Sequence, residues 1–253
     1  MLRKVLFSTT ACSALTLSLP VAADVEFWFI RHAETEANIG LANAHNPTPN
    51  YLNELTDNGR QQATIMAQSL SEKPVTSLYS SDALRTIQTA YYISAETDLP
   101  EPIVVPAIRE WDPAVPDSYS QEEVMNAMYT VLPQWMNGET YVKLAVSGED
   151  GEALGDMVAR TVPGYKKIVK AHECDDGIVA IVSHGASIGW SMPFLADNVD
   201  LTFALTTGLH NTGIVKAVPN GNKLTVTSWE GIEMDTSSIK KVKQCNKDKN
   251  AEH

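Results

Sequence analysis

Four residues of this chain have the types and places to do chemistry together. Arg31-His32 stands where an apolar run stops, and His184-Gly185 ends a second apolar run 152 positions after His32. Arg85 falls in the first turn of a helical stretch that follows Ser80-Ser81. Two guanidiniums offer planar forks of donors that match phosphate oxygens. A helix opening at Gly185 adds backbone N–H groups and a positive dipole end, a second anion preference. A neutral imidazole inside such a cage would turn its lone pair toward the phosphorus of a bound ester. Attack would give a covalent phosphohistidine and split one hard displacement into two easier ones. The arginines and the second histidine would stabilise charge on the phosphoryl oxygens in flight. Neighbouring cations should depress the proton affinity of the attacking ring. The leaving alkoxide then needs a proton, and the same donor, once ionised, can activate water. Glu110 in IREWDP is the first candidate for that carboxyl, with Asp112 and Glu34 as rivals.

The elements that must position these residues can be read from pattern. VEFWFI (25–30) and GIVAIVS (177–183) are continuous apolar runs, the signature of strands buried on both faces. SLYSS (77–81) and PIVV (102–105) read as shorter strands. Residues 212–218 and 223–229, separated by PNGN, read as a closing hairpin. Helical spacing covers 55–70, with Thr56 as N-cap and apolar residues at Ile65, Met66 and Leu70. It also covers 82–96, capped by Ser81 or Asp82, and 151–172, where Pro163 should kink or break the helix, and 186–195. Strands alternating with helices imply an α/β fold with a mainly parallel central sheet, whose ligands bind at the carboxyl ends of the strands. Arg31-His32, Ser80-Ser81 and His184-Gly185 all lie at such ends. Segment 111–150, with one helix near 121–135, breaks the alternation and is expected to pack over the sheet's edge.

Length and composition bound the rest. At 253 residues, 43% apolar and 20% charged, one domain with an insertion is expected. Residues 1–23 read as a secretory signal peptide cleaved after Ala23, with Val21 and Ala23 as the small residues before the cut. The body then runs over 24–236, with a polar tail over 237–253. The full chain carries a net charge of −12; loss of Arg3 and Lys4 leaves 17 basic against 31 acidic residues, or −14. Such a surface repels nucleic acid and anionic membranes, and no stable membrane insertion is expected after cleavage. Only Cys174 and Cys245 survive cleavage, and in an exported protein they are expected to form a disulfide tethering the tail.

RHAETEAN, LTDNGRQQA, YSSDALRTIQTA, GEDGEALGDMVAR and VSHGASI, in that order, resemble the first branch of the histidine phosphatase (phosphoglycerate mutase-like) superfamily. The resemblance covers roughly residues 25–230. It implies a three-layer αβα sandwich and no metal or organic cofactor. It assigns the phosphorylated histidine to His32, and the rest of the phosphate pocket to Arg31, Arg85 and His184. Asn38 would contact substrate, Gly185 would contribute its backbone, and Glu110 would be the proton donor. Ala33 stands where glycine is commonest, a variant the family tolerates. The Glu-Arg-His-Tyr-Gly signature of cofactor-dependent mutases is missing around Glu110. The expectation is therefore an exported, metal-independent phosphomonoesterase acting on a small phosphorylated substrate. The alternatives are a phosphotransferase or mutase and, more remotely, a non-catalytic phosphate- or partner-binding module. A zinc hydrolase would want H-E-x-x-H or a comparable cluster, which the sequence lacks. His210 is expected at the rim of the site, and Trp111, Trp135 and Tyr119 either in a cleft or in a core.

Overall fold

The computed structural model describes residues 25–39 and 52–239. The expected signal peptide, Cys245 and most of the polar tail lie outside the described residues. Seven strands form one sheet in the order β3-β2-β4-β1-β5-β6-β7. These are β1 Val25–Arg31, β2 Val75–Ser80, β3 Ile103–Val104, β4 Gly177–Ser183, β5 Ile214–Asn220, β6 Lys223–Trp229 and β7 Ile232–Glu233. The first four are parallel to one another, and β5, β6 and β7 add antiparallel. The two edge strands, β3 and β7, are each two residues long, which leaves little open ladder for another chain.

The apolar runs are two-faced because β1 and β4 sit mid-sheet. Phe27, Phe29, Val179 and Ile181 face one cluster, which also holds Tyr165, Ile188 and Met192. Trp28, Ile30, Ile178, Ala180 and Val182 face the other, with Met66, Leu70, Ala90 and Ile93. The second cluster is closed by α1 (Asp57–Ser71) and α2 (Leu84–Thr97), the first by α4 (Leu154–His172) and α5 (Gly185–Leu195). This is the expected three-layer arrangement, and burying each large side chain contributes about 1.5–3 kcal/mol.

Several local expectations change. Thr56 caps α1 by accepting from the N–H of Gly59 at 2.9 Å. Ile65, however, is 67% exposed, because the buried stripe runs through Ala63, Met66, Ala67 and Leu70 and position 65 lies to one side of it. Neither Ser81 nor Asp82 caps α2; the N-cap is Ala83, and the Ser81 hydroxyl is used elsewhere. Helix α4 runs through Pro163 without a break. Segment 111–150 does not cover a sheet edge. Its helix α3 (Gln121–Met136), started by a Ser120–Glu123 capping box, shares a cluster with α4, α5 and α6 (Leu201–Thr206). Trp111, Trp135 and Trp190 meet there edge-to-face or tilted, with centroids 5.2–5.8 Å apart.

Candidate active site

Sheet register builds the site. Parallel pairing of β1 with β4 sets Arg31 opposite Ser183, and the N–H of His32 donates to the Ser183 carbonyl at 2.9 Å. His32 and His184 therefore leave the sheet side by side, their rings 5.3 Å apart. On the other flank of β4, the N–H of Ser81 donates to the Val182 carbonyl and carries Ser81 alongside. Helix α2 starts at Leu84, so Arg85 in its first turn reaches back, and its Nε–H donates to His32 Nε2 at 3.1 Å. The residues singled out from sequence at 31, 32, 85 and 184 thus converge at one sheet edge.

The hydrogen bonds fix the state of His32. Its Nδ1 lies 2.7 Å from the Ala33 carbonyl oxygen, which can only accept. The proton therefore sits on Nδ1 and the lone pair on Nε2, where Arg85 donates to it. The ring is 3% exposed, and its proton affinity is held well below the ordinary imidazole value. Burial is the largest cause; Arg85 and then Arg31 add to it, while the Ala33 bond opposes. The cations expected to do this are therefore the second influence and not the first. His184, fully buried, is depressed in the same way by burial, then Arg85 and His32.

His184 is held through Nε2, 2.7 Å from Ser81 Oγ, which lies 2.7 Å from Thr86 Oγ1; Thr86 donates on to the Ala83 carbonyl at 2.7 Å. Nδ1 of His184 faces away from that chain and, like Nε of Arg31, is buried with no hydrogen-bond partner. A buried polar group left unpaired costs about 1–3 kcal/mol. An anion seated against the Arg31 and Arg85 guanidiniums would take up such donors.

The first turn of α5 is used differently from expectation. Oε1 of Glu110 accepts the N–H groups of Ser187 and Trp111, each at 2.9 Å, and Oε2 accepts that of Ala186 at 3.3 Å. The protein's own carboxylate occupies the positive helix end there. Positive charge for a bound anion must come from Arg31 and Arg85. Glu110 raises the proton affinity of both, against the larger lowering by burial. Of the rival carboxylates, Glu34 is tied to Thr56 and Asn58, and Asp112 caps its own turn at Ala114. Glu110 is the one of the three bonded to the element that follows His184.

Among the remaining candidates, a Cβ on Gly185 would lie 3.5 Å from Arg31 Nε, an ordinary contact, so what this position offers is its backbone beside the guanidinium. Oδ1 of Asn38 accepts from the Thr35 N–H, the Thr35 hydroxyl and Asn211 Nδ2, and contact with a substrate would fall to its amide nitrogen. His210 is at the rim: its side chain is 91% exposed, with Nδ1 2.9 Å from Glu230. Cys174 is disulfide-bonded. Residues that sequence reasoning passed over include Thr86, Thr89 and Asn211. Thr89 Oγ1 accepts the Ala33 N–H, and Asn211 donates to the His32 carbonyl. The polar stretch His210-Asn211-Thr212-Gly213 is the local feature that could have pointed to Asn211.

The profile of the histidine phosphatase superfamily (branch 1) matches residues 27–231, a span that holds all of Arg31, His32, Arg85, Glu110 and His184. The chain belongs to the histidine phosphatase superfamily. Phosphoserine phosphatase 1 of Hydrogenobacter thermophilus is 29% identical over 164 residues, 63% of this chain and 71% of that one. A probable phosphoglycerate mutase of Serratia proteamaculans is 28% identical over 169 residues, 65% of this chain and 72% of its own. The fold matches phosphoserine phosphatase from Entamoeba histolytica in complex with phosphoserine. The TM-score is 0.63 at 23% identity, over 81% of this chain and 96% of the other. As a histidine phosphatase the chain is a phosphatase-class enzyme, with both phosphatase and mutase relatives. Among the described residues no group of three or more His, Cys, Asp or Glu could hold a metal ion, and no helix is long and apolar enough to cross a membrane.

Proposed function

We propose that this histidine phosphatase is an exported phosphomonoesterase that works through a phosphohistidine on Nε2 of His32. The observation that carries the reading is the tautomer of that ring. The Ala33 carbonyl holds the proton on Nδ1, so the free lone pair is at Nε2, beside the Arg85 guanidinium. A substrate phosphate would draw the Arg85 N–H onto its own oxygen and release the lone pair. The N–P bond forms as the ester P–O bond breaks, with charge on the phosphoryl oxygens met by Arg31, Arg85 and His184. Glu110, a carboxylate against the α5 N–H groups, would take up a proton as the anionic phosphate binds beside it and deliver that proton to the departing alkoxide. The resulting carboxylate then takes a proton from water as water attacks phosphorus and the N–P bond breaks. Inorganic phosphate leaves and His32 returns neutral. No step calls on a metal; the two arginines supply the positive charge.

Export is supported by the signal-peptide pattern of residues 1–23 and by the disulfide at Cys174, since disulfides persist in oxidising compartments. Small phosphate monoesters are the substrate class; phosphoserine and 3-phosphoglycerate, named for proteins of this fold, head the panel to test. The test is phosphate release from an aryl phosphate in EDTA by the chain from Asp24, beside His32→Ala. Turnover by the wild type alone supports the reading. Equal turnover by both proteins removes His32 as nucleophile, and activity lost to EDTA removes metal independence.

A further inference from the structure

The short segment that carries Glu110 has every carbonyl from Ala107 to Glu110 bound by a side chain. Arg160, on α4, donates from Nη1 to the carbonyls of Ala107 at 3.1 Å and Arg109 at 2.7 Å, and from Nη2 to that of Glu110 at 2.7 Å. The remaining carbonyl, that of Ile108, accepts from the hydroxyls of Ser183 at 2.8 Å and Ser187 at 3.1 Å. Arg160 also pairs with Glu152 through both ends of the fork, at 2.5 Å and 2.7 Å. All five guanidinium N–H groups are thereby used. Glu152 in turn accepts the N–H of Asp112 at 3.1 Å through its carboxylate, and the indole N–H of Trp111 at 2.8 Å through its main-chain carbonyl. The main chain on both sides of Glu110 is thus fastened to one arginine–carboxylate pair. That fastening sets where the Glu110 carboxyl meets the first turn of α5.

We propose that Arg160, held by Glu152, is the positioning residue for the proton donor. The inference rests on Glu110 being that donor. A segment that is one short 3-10 turn (Pro106–Ile108) followed by irregular chain leaves its carbonyls to be satisfied from outside, and one rigid, forked cation can hold three of them in a fixed relation. Lysine, a point charge on a flexible stem, cannot bond three carbonyls and a carboxylate in that geometry. A general acid displaced by about 1 Å loses much of its benefit even when the fold around it is intact. None of these bonds touches the phosphate cage or His32, and the lowering of His184 proton affinity by the Arg160 charge is kept in Arg160→Lys, so that substitution should act through Glu110.

The consequence is selective. Formation of the phosphoenzyme, which governs kcat/KM, needs a proton donor only when the leaving alkoxide is basic. Arg160→Lys keeps the charge and breaks the fork. It should lower kcat/KM about 100-fold for an alkyl phosphate, yet leave it within about threefold for 2,4-dinitrophenyl phosphate, whose leaving group departs as an anion. Glu152→Gln should shift the two substrates apart in the same direction, and it decides the matter should Arg160→Lys not fold. Glu110→Gln is measured beside them. If it shows the leaving-group split and the Arg160 and Glu152 variants lose both substrates equally, or neither, the positioning role is overturned while the proton donor stands. If Glu110→Gln treats both substrates alike, the proton-donor reading falls and the Arg160 inference with it.

Discussion

Two buried neutral histidines make the fold itself sensitive to acid, and the size of the effect follows from the site. His32 is 3% exposed and His184 fully buried, and both are held well below the ordinary imidazole range by burial and by Arg85. In the unfolded chain each would titrate near about 6.5. Below that pH the unfolded state binds protons that the native state refuses, so stability rises with pH and is lost as pH falls through the unfolded value. Between pH 8 and pH 5.5 the loss is about 1.4 kcal/mol for each histidine and about 3 kcal/mol for the pair. The assay is urea unfolding at the two pH values for wild type, His184→Gln and the double variant His32→Gln/His184→Gln. Glutamine does not titrate, and carboxylates common to all three proteins cancel in the comparison. The pH-dependent loss should fall by about 1.4 kcal/mol with each histidine removed. An equal pH dependence in wild type and double variant would refute the buried neutral state on which the nucleophile argument rests.

Three further outcomes are expected. Ser81→Ala removes the partner of His184 Nε2 and leaves it buried, which should cost about 1–3 kcal/mol of stability and lower kcat in the folded enzyme; denaturation midpoints and steady-state rates check both. Trp135→Ala empties the centre of the three-tryptophan cluster and should cost about 3–5 kcal/mol in a thermal melt, since the ring is fully buried. Non-reducing peptide mapping should find Cys174 joined to Cys245, with both thiols open to alkylation only after reduction; free thiols in the chain from Asp24 would contradict this.

Much of the fold was legible because its core strands are buried on both faces. From Phe27 to Ile30 and from Ile178 to Val182 the two strands carry only apolar residues, so the change to Arg31-His32 and Ser183-His184 marks the edge where chemistry sits. The hairpin was equally plain from PNGN, and Gly221 at its tip takes the left-handed conformation such a turn needs. What escaped the sequence depends on partners far away in the chain. Ser81 reads as a helix cap, yet His184 claims its hydroxyl across 103 positions. The helix end at Gly185 reads as an anion site, yet Glu110, from another loop, fills it. Tertiary contact overrode a sound local rule in both places. Beyond its one helix, segment 111–150 has no period to read, because the order there comes from Trp111, Trp135 and Trp190, the last lying outside it in α5. Arg160 carried no signal, since three of its partners are main-chain carbonyls, which every residue has, and its carboxylate partner Glu152 lies eight positions away.

The central claim is a phosphoryl group on Nε2 of His32, and the direct measurement is to trap it. The chain from Asp24 would be mixed with phosphoserine or an aryl phosphate, quenched in alkali within milliseconds, digested and mapped by mass spectrometry. The account predicts one added phosphoryl group, stable to base and lost in acid, on the peptide holding His32. It should be absent from His32→Ala and should persist longer in Glu110→Gln, where water lacks its base. A wild-type enzyme that turns over with no such adduct, or one whose adduct lies on another residue, would contradict it.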